Sequence, residues 1–338
     1  MNPTLTQKGT SEHKSVLFAE AVECLAVKAD DVVVDATIGG AGHFGALLES
    51  LGSDGTLIGI DADAEAIERA REVLNGKDGS TLPKVFLQEN NFRNLESILD
   101  ELEIESIDKS LFDLGWSGFQ LSRSRGFSFQ NDEPLLMTYG DPQTEGCQGV
   151  AAADVLNSAS EETLADILYT LGEEQFSRKI ARAIVDHRKH DKILTTTQLV
   201  EVIKAGTPDW YHHRRLHPAT KTFQALRIYV NDELGALREG LAAAINRTST
   251  GGRIAVISFH SIEDRIVKNV FRDEVAKGMG TLVSKKPITP SPAELAANPR
   301  ARSAKLRVFE CGAPAKKYAN HKPLQKFTNV DNHQSLYA

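Results

Sequence analysis

Apolar runs that end on an aspartate constrain this chain more than any other feature. DVVVDA (31–36) carries Asp35, TLIGID (56–61) ends on Asp61 and KSLFDLG (109–115) carries Asp113, while KVFLQEN (84–90) is a fourth apolar run. Between them lie helical segments. GHFGALLESL follows the first run, AEAIERAREVL places Ala66, Ile67, Ala70, Val73 and Leu74 on one face, and FRNLESILDEL follows KVFLQEN. Strands apolar on both faces that alternate with helices predict an α/β, doubly wound, mostly parallel sheet.

The alternation then stops. Residues 116–149 are rich in Gly, Ser, Gln and Pro without a period and read as a long loop, which inside a compact domain is usually functional. Residues 150–206 carry helical patterns alone, with a start signal at Ser160 and stop signals at Gly172 and Gly206. A long helix, TFQALRIYVNDELGALREGLAAAI, is followed by a strand GGRIAVISF (251–259), a helix SIEDRIVKNVFRD and a last strand KLRVFE (305–310). The expected organisation is a discontinuous sheet domain, 1–120 with 219–338, interrupted by a loop and an all-helical subdomain at 121–218.

Net charge is −7 over 338 residues, but it is unevenly spread. Residues 1–150 carry −15 and residues 151–338 carry +8, so a polyanionic partner is expected on the second half. Three distant cysteines, Cys24, Cys147 and Cys311, give neither a disulfide scaffold nor a zinc ribbon and suit a reducing compartment. No apolar run reaches the ~20 residues of a membrane span, and the polar N-terminus lacks a signal-peptide core. The expected location is the cytoplasm, away from membranes.

The first aspartate leads into DATIGGAGHFG (35–45), where Gly40, Gly42 and Gly45 fit GxGxxG and Asp61 follows 21 residues after Gly40. Read literally this is a dinucleotide fingerprint and implies an NAD-dependent oxidoreductase. However, Asp35 sits at the strand end ahead of the glycines, which also describes the S-adenosylmethionine site of class I methyltransferases. There the glycines admit the methionine moiety closely and Asp61 accepts the ribose hydroxyls. A third possibility is that the glycines only make a tight turn.

The third aspartate opens Asp113-Leu-Gly-Trp116, with the spacing, though not the prolines, of elements found in amine-methylating enzymes. An exocyclic base amine is a poor nucleophile, because its lone pair is delocalised into the ring. An acceptor such as Asp113 can localise that pair, and Trp116 can stack on an extruded base or simply pack. His260 follows a strand end and either faces the cleft or belongs to a helix start at which Ser261 is the cap. His212, His213 and His217 lie among Arg214 and Arg215, neighbours that oppose a metal, so none is expected. RNA phosphate contact is the better use of HHRRLHPATK, with Arg178, Lys179, Arg182, Arg188 and Lys189 as a second basic face or a solvated helix surface.

Longer stretches then match a family. HKSVLFAEAVECL, DATIGGAGH, IGIDADAEAI, FDLG, RGFSF, GEEQFSRKIARAIV, HPATKTFQALRIYVNDEL, GGRIAVISFHSIEDRIVK and NPRARSAKLR run in family order from residue 13 to about 310. Across nearly its whole length the chain resembles the bacterial 16S rRNA cytosine-N4 methyltransferases, RsmH or MraW. The resemblance implies a class I methyltransferase fold with an inserted helical substrate domain, S-adenosylmethionine as methyl donor, and a decoding-centre cytosine of 16S rRNA in the small ribosomal subunit as acceptor. It carries cofactor contacts onto Ala41, Gly42, His43, Asp61, Phe92, Asp113 and Gln120. The chain departs from the family at 113–122, where DLGVSSPQLD becomes DLGWSGFQLS, and at 132–140, where DGPLDMRMD becomes DEPLLMTYG. Leu136, Thr138 and Gly140 replace two acids and an arginine, and Ala41 stands where glycine is usual. These departures motivate a second reading, a non-catalytic rRNA-binding assembly factor that keeps the cofactor pocket.

Overall fold

The computed structural model describes residues 15–77, 82–115, 124–139 and 150–312. A seven-stranded sheet has the order β3-β2-β1-β4-β5-β7-β6. Its strands are β1 (Val32–Asp35), β2 (Thr56–Asp61), β3 (Lys84–Glu89), β4 (Ile107–Asp113), β5 (Thr248–Ser258), β6 (Gly280–Leu282) and β7 (Lys305–Cys311). The first five pair in parallel, and β7 runs antiparallel to both β5 and β6. This is the doubly wound class I methyltransferase arrangement expected.

Alternation along the strands builds two cores. Val33, Leu57, Leu111, Ala255 and Ile257 pack on one face with the helices α1 (Phe18–Leu25), α2 (Gly42–Ser50) and α3 (Ala64–Asn75). Val34, Ile58, Ile60, Phe112, Ile254 and Val256 pack on the other with α4 (Leu95–Glu101) and with Leu237, Leu241 and Phe271 from the later helices. Both faces are covered, as parallel strands require. Lys305 and Arg307 of β7 bond the Asp264 carboxylate at 2.9 and 2.7 Å and fasten the last long helix to the sheet edge.

Two compact units are present, parting after Ser122 and between Asp232 and Glu233. The expected single helix over TFQALRIYVNDELGALREGLAAAI is two helices, Thr220–Asn231 and Glu233–Arg247. They break at Asp232, whose backbone is left-handed (φ 44°) and whose N–H closes the first helix on Ile228 and Tyr229 carbonyls. The unit boundary therefore lies one helix beyond the expected 218/219. Helix Thr220–Asn231 belongs with helix Glu161–Gly172, where a Cβ on Gly172 would lie 2.6 Å from the Lys221 carbonyl oxygen.

The helical unit contains Ala152–Ser158, Glu161–Gly172, Ser177–His187, Thr196–Ala205, the short Asp209–His212 and Thr220–Asn231. Residues 124–139, expected as loop, are pinned to it. Glu133, where the resembled family reads glycine, is buried and accepts the Gly126 N–H, while its own N–H bonds Thr196 Oγ1. Arg125 holds the carbonyls of Thr138 and Tyr139, and Thr138 is itself buried.

Gly240, midway along Glu233–Arg247, lies against Phe92: a Cβ there would sit 2.7 Å from the Phe92 ring and 3.1 Å from its carbonyl oxygen. Alanine normally improves a helix interior by about 1 kcal/mol over glycine. Here overpacking of about 1–3 kcal/mol is expected to outweigh it, so Gly240→Ala should lower the denaturation midpoint. A raised midpoint would show that Phe92 yields freely.

Candidate functional site

The three aspartates meet at the carboxyl ends of β1, β2 and β4, where parallel sheets present ligands. Asp35 is wholly buried and accepts the Thr37 N–H at 3.2 Å through Oδ1, leaving Oδ2 without a hydrogen-bond partner. Asp61 accepts two loop amides, Gly39 N–H at 2.8 Å and Asp63 N–H at 2.9 Å. Asp113 lies 3.4 Å from His43 Nδ1 through Oδ2, and its Oδ1 is unpartnered. Thr37 Oγ1 accepts the Asp113 backbone N–H at 2.7 Å and so ties the end of β4 to the loop after β1.

That loop is shaped by backbone conformation. Gly39 (φ 52°) and Ala41 (φ 59°) are both left-handed, which glycine tolerates and alanine adopts at a cost of roughly 1–2 kcal/mol. The Arg69 guanidinium donates to the Gly39 carbonyl at 2.9 Å and holds the turn against the next helix. No side chain caps α2, so the N–H groups of its first turn, from Gly42 and His43 onward, suit an anionic group. After β4, Gly115 lies under the Phe259 ring, where a Cβ would come within 2.5 Å.

Electrostatics follow from burial. Desolvation pushes the Asp35 carboxyl up to about 7, against the opposing effects of His43 and the Thr37 N–H. It pushes Asp61 up to about 6, against its two backbone hydrogen bonds. Burial works to lower His43, but its hydrogen bond to Asp113 and the charges of Asp113 and Asp35 more than offset it and raise the imidazole. With Nδ1–H directed at Asp113, a neutral ring offers an acceptor at Nε2, which is buried and unpartnered.

The expected cofactor residues Asp35, Gly40, Ala41, Gly42, His43 and Asp61 are thus brought together around one loop, with Asp113 beside them. Phe92 is half-buried, edge-on to Phe112 with centroids 5.6 Å apart. Trp116 and Gln120 lie outside the described residues. Sequence reading did not single out Thr37 or Arg69. Thr37 was visible in DATIGG, but the contact of Arg69 with Gly39 spans 30 residues and has no local signal. His260, and not Ser261, is the helix cap: its Nδ1 accepts the Glu263 N–H, and Glu263 Oε2 accepts the Phe259 and His260 N–H groups. Its Nε2 lies 3.0 Å from Glu263 Oε1. Glu233, His260 and Glu263 could converge on a cation, but the cap already engages the last two. His212 bonds Thr207, and His217 stacks on Phe129.

Among the expected RNA contacts, Arg182 lies 3.4 Å from Glu161 and Arg188 donates to the Leu156 carbonyl. Arg178, Lys179 and Arg182 line a cleft of about 530 Å³ that they share with Glu161, Glu162 and Asp166, so this face is of mixed charge. Arg214 and Arg215 are exposed.

Asp35 and Asp61 hold more protons folded than unfolded between about pH 4 and pH 7. Their contribution to stability is present at the acid end and lost as pH rises through about 6 to 7. In cofactor-free protein, Asp35→Asn should match the parent's melting temperature near pH 4 and exceed it at pH 7.5. Equal melting temperatures at both pH values would show that Asp35 ionises freely.

The arrangement fits S-adenosylmethionine. Unpartnered carboxylate oxygens suit a cationic ligand, a second-strand acid suits ribose hydroxyls, and an uncapped helix start suits a carboxylate. Comparison with known proteins agrees with the methylase character. The MraW methylase family model matches residues 10–311. The chain is 45% identical over 314 residues to a ribosomal RNA small subunit methyltransferase H of Syntrophotalea carbinolica, covering 88% of this chain and 97% of the relative. It is 45% identical over 305 residues to the protein of that name from Deinococcus radiodurans, covering 90% and 91%. Among solved structures, an rRNA methylase from Streptococcus thermophilus aligns with a TM-score of 0.39 and 12% identity over 88% of this chain and 94% of that one. The N-methyltransferase NodS from Bradyrhizobium japonicum aligns with a TM-score of 0.38 and 9% identity over 88% and 94%. This chain belongs to the MraW methylase family.

Proposed function

We propose that the chain transfers a methyl group from S-adenosylmethionine to the N4 exocyclic amine of a decoding-centre cytosine in 16S rRNA. The observation that carries this reading is Asp113, held at the end of β4 by Thr37 and His43 with one carboxylate oxygen unpartnered beside the cofactor loop. The names of the 45%-identical relatives support the small-subunit rRNA as substrate. No helix among the described residues is long and apolar enough to cross a membrane.

Bound S-adenosylmethionine supplies a methyl group already activated by its sulfonium, so the protein's task is alignment. Asp61 would accept the ribose hydroxyls, and the α2 N-terminus and His43 would hold the methionine end. Asp113 Oδ1 accepts an N–H of the cytosine amine and localises the nitrogen lone pair toward the methyl carbon. Transfer would form the N–C bond as the C–S bond of the donor breaks, leaving the electron pair on sulfur. The surplus nitrogen proton leaves to Asp113 or water. Trp116 would stack on the extruded base, and Phe92 and Gln120 would complete the cofactor pocket. His260 polarises the amine or binds a phosphate only by releasing Nε2 from Glu263. Exposed Arg178, Lys179, Arg214 and Arg215 contact RNA phosphates; Arg182 and Arg188 join them only by giving up their present partners.

The test is methylation of unmodified small subunits by the purified protein, with nucleosides resolved by mass spectrometry. N4-methylcytidine supports the reading. Cofactor binding with no methylation would favour the assembly-factor reading, and methylation of another atom would move the target.

Asp61→Ala should weaken S-adenosylmethionine by about 1.5–3 kcal/mol in calorimetry, through loss of a charge-assisted acceptor. Unchanged affinity would show that the ribose lies elsewhere. Asp113→Ala should slow methylation more than Asp113→Asn, whose amide oxygen still accepts an N–H; equal rates would remove Asp113 from amine binding. Replacing Arg214 and Arg215 with alanine should flatten the salt dependence of RNA binding while sparing cofactor affinity. An unaltered slope would move the phosphate contacts elsewhere.

A further inference from the structure

An aromatic cluster in the helical unit takes no part in the cofactor site. Trp210, on the short helix Asp209–His212, is 58% exposed. Its ring stands edge-on to Phe176 (centroids 5.8 Å, 63°) and to Tyr211 (5.9 Å, 89°). Those two rings meet each other at 4.9 Å. The backing is fixed from below. Tyr211 is buried and donates its hydroxyl to Glu174 Oε2 at 2.6 Å, while Glu174 Oε1 accepts the Phe176 N–H.

Cations flank the cluster. Lys179 Nζ lies 5.7 Å from the Phe176 centroid, and the Arg214 guanidinium lies 5.3 Å from that of Tyr211. Both residues are exposed, as is Arg215, and among the described residues none of the three makes a salt bridge. The exposed acids nearest in sequence are Asp209 and Glu173, and Lys179 also lines a cleft with Glu161, Glu162 and Asp166. A partly exposed indole packed edge-on against two rings that each carry a cation matches the way unpaired nucleic acid is held: stacking takes the base, and charge takes the backbone. A double helix, whose bases are already stacked on one another, offers this ring nothing.

We infer that Trp210 is a stacking platform for an unpaired nucleobase of the RNA substrate, with Lys179 and Arg214 on the flanking phosphates. This rests on the rRNA reading above and adds a base-binding subsite in the inserted unit, separate from the cytosine that is methylated.

The chain holds two tryptophans, so Trp116→Phe leaves Trp210 as sole reporter. In that protein, fluorescence is titrated with an unpaired oligocytidylate and with a blunt RNA duplex of equal phosphate count. Quenching by the unpaired strand and little by the duplex is expected. In the otherwise unaltered protein, Trp210→Ala should weaken the unpaired strand at least about fivefold, the lower end for one stacked base, and Trp210→Phe should recover most of it. The salt slope should stay unchanged, because no phosphate contact is removed. Equal quenching by both RNAs, or Trp210→Ala binding within twofold of the parent, would overturn the platform while leaving the rRNA reading intact. Altered self-association with unaltered RNA affinity would assign the ring to a second copy and overturn it as well. A parent that binds neither RNA contradicts the rRNA reading and the platform together.

Discussion

Carboxylates gathered in one buried place repel one another and lose hydration, and the site depends on how this fold bears that cost. Asp35 and Asp61 end adjacent parallel strands, and Asp113 ends the strand on the other side of β1. Backbone amides of Thr37, Gly39 and Asp63 supply the hydrogen bonds that water would have made. His43 supplies a proton donor to Asp113, and protonation relieves what remains. The left-handed turn at Gly39 and Ala41 is the geometry that turns an amide toward Asp61. Arg69 and Thr37 keep it there. A cationic cofactor would complete the compensation for acids that cost the cofactor-free fold stability at neutral pH.

Much of this was legible because it is local. Strands β1, β2 and β4 are apolar runs whose last residues are Asp35, Asp61 and Asp113, and β3 is a further apolar run, but the order of the strands in the sheet was not legible. The left-handed break at Asp232 was not legible. Apolar periodicity runs through TFQALRIYVNDELGALREGLAAAI without interruption, and the reason to break it lies in two different packing partners. Strand β6 has three residues and is defined by its pairing with β7. His260 is the cap in place of Ser261 because its Nδ1 accepts the Glu263 N–H while the Glu263 carboxylate accepts the His260 N–H, a reciprocal pair that a count of serines does not reveal. The fate of Arg182 and Arg188 depends on Glu161 and a Leu156 carbonyl from other helices, which no count of basic residues reveals.

Charge is divided by task. The unit that carries the sheet concentrates buried acid for a small cation. The helical unit instead presents exposed Arg178, Lys179, Arg214 and Arg215, together with the aromatic cluster around Trp210. The insertion also shows how a departure from family pattern is accommodated. Glu133, in place of the resembled family's glycine, is buried and accepts the Gly126 N–H, which anchors residues 132–139, where Leu136 and Thr138 stand in place of an acid and an arginine.

Calorimetry of S-adenosylmethionine binding at pH 6, repeated in buffers of different ionisation enthalpy, tests the central claim most directly. With Asp35 raised to about 7 and Asp61 to about 6, the cationic cofactor should expel protons from the acid cluster. The observed heat should then vary with the buffer at pH 6 and much less at pH 8. A binding heat independent of the buffer at pH 6 would contradict it, since the acids would already be ionised before the cofactor arrives.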